Sequence, residues 1–399
     1  MVSGPLEGLV VVDLTRFVAG SYATSLLAAL GADVVKIEPP GGDPYRRQGT
    51  EWVNGESVLF MSLNAGKRSV ALEFRTQTGR EMLERLIARA DFFVENARPG
   101  SLARHGLDWS ALHERYPALI MGSISGYGDV GPEAENGGFD LVLQAESGLM
   151  SVTGSPASGP VKVGAPLLDV GAGLACALGL VAAHVERLST GRGRLVSTSL
   201  LEFALAGLGT VAAGYLASGQ VPGLLGTHSP TFAPYGGFRT ADGWIVMAGA
   251  GSEELWRRAC EVLGVDGLVD DERFSDNGLR VAHRDELTAA LEAVLVLQPS
   301  AHWLGVLADA GVPAAEVRDI RQVLAGDQVA ALGSVEHLQH VRAGDSVAVA
   351  PPLRIDGAPL GYGKAAPVLG ADTAAVLGEL GLSEHEIADL VLEGTAVTA

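Results

Sequence analysis

The stretch LVVVDLTRFVAGSYATSLLAALGADVVKIE, residues 9–38, decides the fold. Leu9–Leu14 is a short apolar run of β-type residues, Ser21–Gly31 reads as a helix closed by glycine, and Ala32–Glu38 reads as a second strand. Strand, helix and strand at this spacing form a βαβ unit, the seed of a parallel sheet with helices on its faces. The pattern recurs downstream: SVALEF as a strand, GREMLERLIARA as a helix with an apolar stripe, then DFFVEN and LIMGSIS as strands. Residues 1–220 therefore read as one large, doubly wound, Rossmann-like α/β domain.

Beyond about Gln220 the texture changes. GGFRTADGWIVMAG signals a hairpin, two β-type runs joined by Asp242-Gly243, and three helical segments follow. Residues 221–333 read as a smaller α+β domain inserted in the chain, and residues 334–399 as a return to the large one.

Composition bounds the function. The chain has 399 residues and a formal net charge of −19, which argues against nucleic acid as the main partner. Any polyanionic ligand must then be held by a local basic site, against the global field. Two cysteines, Cys176 and Cys260, exclude a disulfide framework and a C-x-x-C metal pattern. MVSGPLEG lacks the regions of a signal peptide. The most apolar run, Val170–Ala183, falls short of the roughly 20 residues that span a bilayer. The expectation is a cytoplasmic protein with no membrane partner.

The usual chemistries of an α/β fold are missing. The first βα turn, TRFVAGSYA, lacks the G-x-G-x-x-G of a dinucleotide site, and the one later match, GYGDVG (126–131), does not open a helix. There is no P-loop and no G-x-S-x-G elbow, and HLQH (337–340) lacks the zinc-protease glutamate, so both histidines read as surface residues. Basic residues do gather where strands meet loops: Lys67, Arg75, Arg98 and Arg104. Ligands bind outside the carboxyl ends of strands in such sheets, so these side chains either hold phosphates or solvate turns. Asp13 reads as structural and Asp140 as a cap or turn residue. Asp169 precedes a long apolar helix and is either its N-cap or a nucleophile kept ionised by the helix start, with Gly171 and Gly173 opening the backbone to substrate. The segment alone favours the cap.

Longer blocks change that balance. PLEGLVVVDLTRFVAGSYATSLLAALGADVVKIEPPGGDP resembles the opening of the family III CoA-transferases, also called the CaiB–BaiF family. The resemblance continues in order through SLNAGKRSVALEF, DFFVENARPGSLARHGL, SISGYGDVGP, the block from Met150 to Val196, APYGGFRTADGWIVMA and the C-terminal KAAPVLGADTAAVLGELGLSEHEI. It implies that Asp169 is the nucleophile, supported by Asp140. It also implies that coenzyme A lies along Val18, Ala19, Leu72, Arg75, Asn96, Ala97, Arg98 and Arg104. The implied assembly is an interlocked homodimer.

The expected activity is transfer of coenzyme A from an acyl-CoA to a free carboxylic acid through aspartyl anhydride and aspartyl-CoA thioester intermediates. Coenzyme A is a substrate there, and no permanently bound cofactor or metal is required. Related racemases use a histidine at the position of Phe139, which cannot carry a proton. A CoA-binding protein without catalysis is the other alternative, and the intact Asp169 weighs against it. Val18 replaces the glutamine usual in formyl-CoA transferases, and GTHSPTFAPYGG stands where their glycine run is expected. Arg16 and His228 are candidates to recognise the distal carboxylate of a dicarboxylate substrate.

Overall fold

The structure is a computed structural model, and it describes residues 4–399. The chain divides into two compact units. The first comprises residues 1–149, 163–219 and 327–399; the second comprises 150–162 and 220–326. This corrects the expected boundaries 1–220, 221–333 and 334–399 in two ways. Residues 150–162 leave the large unit because they form a small hairpin, Gly154–Ser155 against Gly159–Pro160, to which Gly226 donates an N–H bond at 2.7 Å. The return to the first unit begins at 327, with the helix Asp327–Leu332.

A mainly parallel seven-stranded sheet organises the first unit. Its spatial order is Leu195–Ser199, Ile120–Ser125, Phe92–Glu95, Val10–Leu14, Asp33–Glu38, Arg68–Leu72 and Ala396–Val397. Only the last strand runs antiparallel, pairing Ala396 with Leu72. Val11 and Phe92 face one hydrophobic cluster while their neighbours Val12 and Phe93 face another, so the central strands are buried on both sides. That double burial is why they read as continuous apolar runs. Chain order reverses between Val10–Leu14 and Phe92–Glu95, which places the topological switch point at their carboxyl ends.

The helix Leu167–Thr190 packs on the helix Ala19–Ala29 and forms one wall of the second cluster. A Cβ on Gly173 would stand 2.5 Å from the Ala19 carbonyl oxygen, and one on Gly171 would stand 1.9 Å from the Phe203 ring. These glycines serve helix packing, which corrects their expected role in admitting substrate. The same helix corrects the expectation of an apolar run too short for a membrane: at 24 residues it is long and apolar enough to cross one. Its most apolar window is 44% buried inside the protein.

The second unit carries the expected hairpin, Tyr235–Arg239 paired with Trp244–Ala248, and adds a third strand, Ala314–Glu316. Helices including Glu253–Leu263, Arg284–Leu295 and Ser300–Asp309 bury Trp256, Leu291 and Trp303 against it. In the first unit, His340 is buried rather than on the surface. Its Nδ1 accepts from the amides of Arg342 and Ala343, closing the turn after its strand.

Candidate functional site

Buried charges set the first βα turn. Asp13, at the end of its strand, accepts from Thr15, Thr24 and Lys67, and Lys36 donates to the Thr15 carbonyl at 2.9 Å. Burial works to raise the Asp13 carboxyl, but Lys67 and Lys36, with the two hydroxyls, hold it below the usual carboxylate range. Burial brings Lys67 down to about 8 despite Asp13. Asp13 is thus structural, and its structure is the turn that follows. A lone lysine inside the apolar run DVVKIE was the available signal for such a partner.

The turn is also clamped from the side. Asn96 accepts from the Arg16 amide at 2.8 Å and donates to the Arg16 carbonyl at 2.7 Å. Phe17 then takes a φ of 60°, a left-handed conformation uncommon for an aromatic residue. This projects its ring against Tyr45 and Phe139, at centroid distances of 5.4 and 6.2 Å. Tyr45 is placed by the same buried network: its amide donates to Asp43, which pairs with Lys36 at 3.1 Å.

Two cavities meet at the switch point. One, of about 360 Å³, is walled by Phe17, Tyr45, Phe139 and Asp169. The other, of about 350 Å³, is walled by Arg16, Arg75, Arg104 and His105. Phe17, Asn96, Ala97 and Arg98 line both, so a carboxylate and a basic groove share one wall. Ala19 joins the Asp169 side. Val18 and Leu72 are buried and line neither cavity, Leu72 being fully enclosed at the end of its strand. His228 lies in the second unit, its ring 5.7 Å from Phe238, where burial and Arg284 keep the imidazole below the ordinary histidine range. That direction favours the neutral ring over a cationic anchor.

Asp169 is not the cap of its helix. The N-cap is Pro166, and Asp169 stands in the first turn without making a capping bond. Asp140, first residue of the helix Asp140–Glu146, supplies the cap instead: its Oδ2 accepts from the amides of Leu168 at 2.8 Å and Asp169 at 3.3 Å. Gln144 donates to the other oxygen of Asp140 and accepts from Val163. Because Asp140 takes these donors, the helix start does not keep Asp169 ionised. Burial, and then the Asp140 charge, push the Asp169 carboxyl up to about 7. Tyr45 in turn feels the Asp169 charge, its phenol being raised first by burial and then by Asp169. Of the residues around Asp169, sequence reasoning missed Tyr45 as a wall of the site, since nothing in PPGGDPYRR marks its direction.

Among the described residues, no group of three or more His, Cys, Asp or Glu side chains could hold a metal ion.

Comparison with known proteins agrees with this arrangement. The model of CoA-transferase family III matches residues 6–373. The succinyl-CoA:glutarate CoA-transferase of Mus musculus is 35% identical over 392 residues, covering 98% of this chain and 90% of that protein. The acetyl-CoA:oxalate CoA-transferase of Acetobacter aceti is also 35% identical, over 356 residues, covering 89% of this chain and 90% of its own. The crystal structure of a CaiB/BaiF family protein from Brucella suis superposes with a TM-score of 0.84 at 36% identity, covering 95% of this chain and 100% of that one. Switch-point groove, carboxylate and near full-length similarity converge: the chain belongs to CoA-transferase family III.

Proposed function

We propose that this protein is a CoA-transferase that moves coenzyme A from an acyl-CoA to a free carboxylic acid, with Asp169 as the covalent carrier. The observation that carries this reading is the shared wall of the two cavities. A thioester beside Asp169 is joined through Asn96–Arg98 to a groove whose arginines suit the phosphates of coenzyme A.

The Asp169 carboxylate attacks the thioester carbonyl, forming a mixed anhydride and expelling the coenzyme A thiolate. The thiolate then attacks the aspartyl carbonyl, giving an aspartyl-CoA thioester and the free donor acid. An acceptor carboxylate attacks that thioester, forming a second anhydride and releasing the thiolate again. Attack of the thiolate on the new acyl carbonyl frees the product acyl-CoA and regenerates the aspartate. The half-buried position of Asp169 favours this course, because a desolvated carboxylate is a stronger nucleophile and water would hydrolyse the anhydride. Oxyanion stabilisation by the helix start, an attractive role for its amides, is unavailable there. Leu167, Leu168, Asp169 and Val170 already donate to Ala165, Asp140, Asp140 and Pro166.

Phe139, 64% exposed and packed edge-on against Phe17, offers Asp169 no proton-carrying partner, so this reading excludes a racemase. The interlocked homodimer belongs to the same proposal. Its support is a face of the helix Leu167–Thr190 where Leu174, Leu178, Val185 and Leu188 stand exposed. A cytoplasmic setting fits the free, buried Cys176 and Cys260.

The test is exchange. The protein is incubated with succinyl-CoA or acetyl-CoA and a mixture of isotope-labelled acids, and the thioesters are followed by mass spectrometry. Label entering new thioesters, with a loss of about 10³-fold or more in Asp169→Ala, is the expected result. Equal exchange in that variant contradicts it.

A further inference from the structure

The basic groove contains a group that coenzyme positioning alone does not account for. Of the twelve residues lining it, four are arginine, one is histidine and none is acidic, in a chain of net charge −19. The histidine, His105, ends a short turn, Ala103–His105, and rests edge-on against Phe74 with ring centroids 6.1 Å apart. Three arginines, Arg104, Arg80 and Arg75, act on its charge. Arg80, on the helix Gln77–Ile87, brings Nη1 to 3.4 Å from His105 Nδ1. Arg104 belongs to the same turn and donates to the Ser101 carbonyl at 3.1 Å. Arg75 follows the strand Arg68–Leu72 and reaches Glu73 only at 3.9 Å. Arg115, which donates to the neighbouring Gly106 carbonyl, is held by Glu84 at 2.7 Å. Among the described residues, no carboxylate bonds the ring.

We propose that His105 is a proton-linked member of a phosphate site: neutral while the groove is empty, it takes a proton from solvent when a phosphate group settles among Arg75, Arg80 and Arg104. This rests on the coenzyme A reading above and adds to it which residues hold a phosphate and how pH controls them.

With the groove empty, Arg80 is a donor only, so the nitrogen facing it, Nδ1, is the acceptor and the ring proton sits on Nε2. Partial burial, followed by Arg104, Arg80 and Arg75, keeps the imidazole below the ordinary histidine range. A phosphate dianion reverses the balance. It offsets the arginine charges and presents oxygens that accept from both Arg80 and a newly formed Nδ1–H. One proton passes from the buffer to Nδ1, and no bond to phosphorus changes.

The experiment is titration calorimetry of the full chain with coenzyme A at pH 6.5, 7.0 and 8.5, in two buffers of different ionisation enthalpy. Wild type is compared with His105→Gln after both are shown to melt alike. Because the phosphomonoester of coenzyme A itself titrates near pH 6, the difference between the two proteins is the quantity read. Wild type is expected to take up about half a proton more than the variant at pH 7. It should also bind about five-fold more tightly at pH 6.5, with that advantage gone by pH 8.5. A second measurement needs no variant in the groove: the His105 ring resonance of histidine-labelled wild type should titrate about one unit higher when coenzyme A is saturating. 3′-Dephospho-coenzyme A separates the two phosphate sources. Loss of the extra proton places the 3′-phosphate at His105, and its retention places the diphosphate there. Tight binding with identical proton uptake in both proteins, or an unmoved ring titration, overturns this inference alone. Absence of coenzyme A binding overturns the coenzyme reading and this inference with it.

Discussion

A carboxylate in the first turn of a helix is ordinarily stabilised as the anion. Asp169 is not, because Asp140 takes the amides of Leu168 and Asp169 and adds a second negative charge nearby. The result is a carboxyl raised to about 7, poised near neutrality for the nucleophilic role proposed for it. The sign of the pH effect follows. Only the ionised form attacks, so kcat/KM is expected to level off above about pH 7 and to fall roughly tenfold per unit below it. Asp140→Asn removes the repelling charge and should move that limb toward lower pH, measurable as a shifted rate profile. A limb that stays in place in the variant contradicts this account of Asp169. Asp169 was legible in its sequence block as cap or nucleophile, but its true cap was not. Asp140 lies 28 residues before Leu168, and no local pattern joins the aspartate of GGFD to a helix that begins so far along the chain.

At the scale of elements, the proposed position of Asp169 is set where the helix Leu167–Thr190 meets the helix Ala19–Ala29. Gly173 permits that meeting, and any Cβ there must displace the Ala19 carbonyl, which lies beside the first βα turn. Gly173→Ala is therefore expected to destabilise the protein by about 1–3 kcal/mol, in spite of alanine's better helix propensity. It should lower kcat more than it raises the KM for acyl-CoA, because Asp169 moves while the arginines do not. Denaturant unfolding and steady-state kinetics check both halves, and an unchanged kcat would sink the argument. The βαβ order was readable because central strands buried on both faces leave long apolar runs. The hairpin at Asp242-Gly243 was readable from its turn residues. Hidden from sequence was the membership of residues 150–162 in the second unit, where a small hairpin accepts from Gly226, more than sixty residues further along the chain.

At the scale of the molecule, an acidic chain lines one groove with four arginines and no acid, and its longest helix exposes an apolar face. Leu178 and Leu188 are 71% and 75% exposed and stand on the same helix face as Leu174 and Val185. A covered surface, supplied by a second copy, is the expected state of such a face. Leu178→Asp combined with Leu188→Asp should shift the sedimentation coefficient from that of a dimer to that of a monomer, with acyl exchange lost alongside. A wild-type protein that sediments as a monomer at micromolar concentration contradicts the homodimer. Resemblance alone implied that assembly, since no periodicity in the apolar helix distinguishes a partner chain from a core or a bilayer.

The central claim is that coenzyme A becomes covalently attached to Asp169. It is tested most directly by mixing the protein with acyl-CoA, quenching in acid, digesting and reading peptide masses. The expected result is the mass of coenzyme A on the peptide containing Asp169, converted to a hydroxamate by hydroxylamine and discharged when an acceptor acid is added before the quench. Coenzyme A bound covalently to any other residue, or undiminished transfer with Asp169 replaced by asparagine, would contradict it.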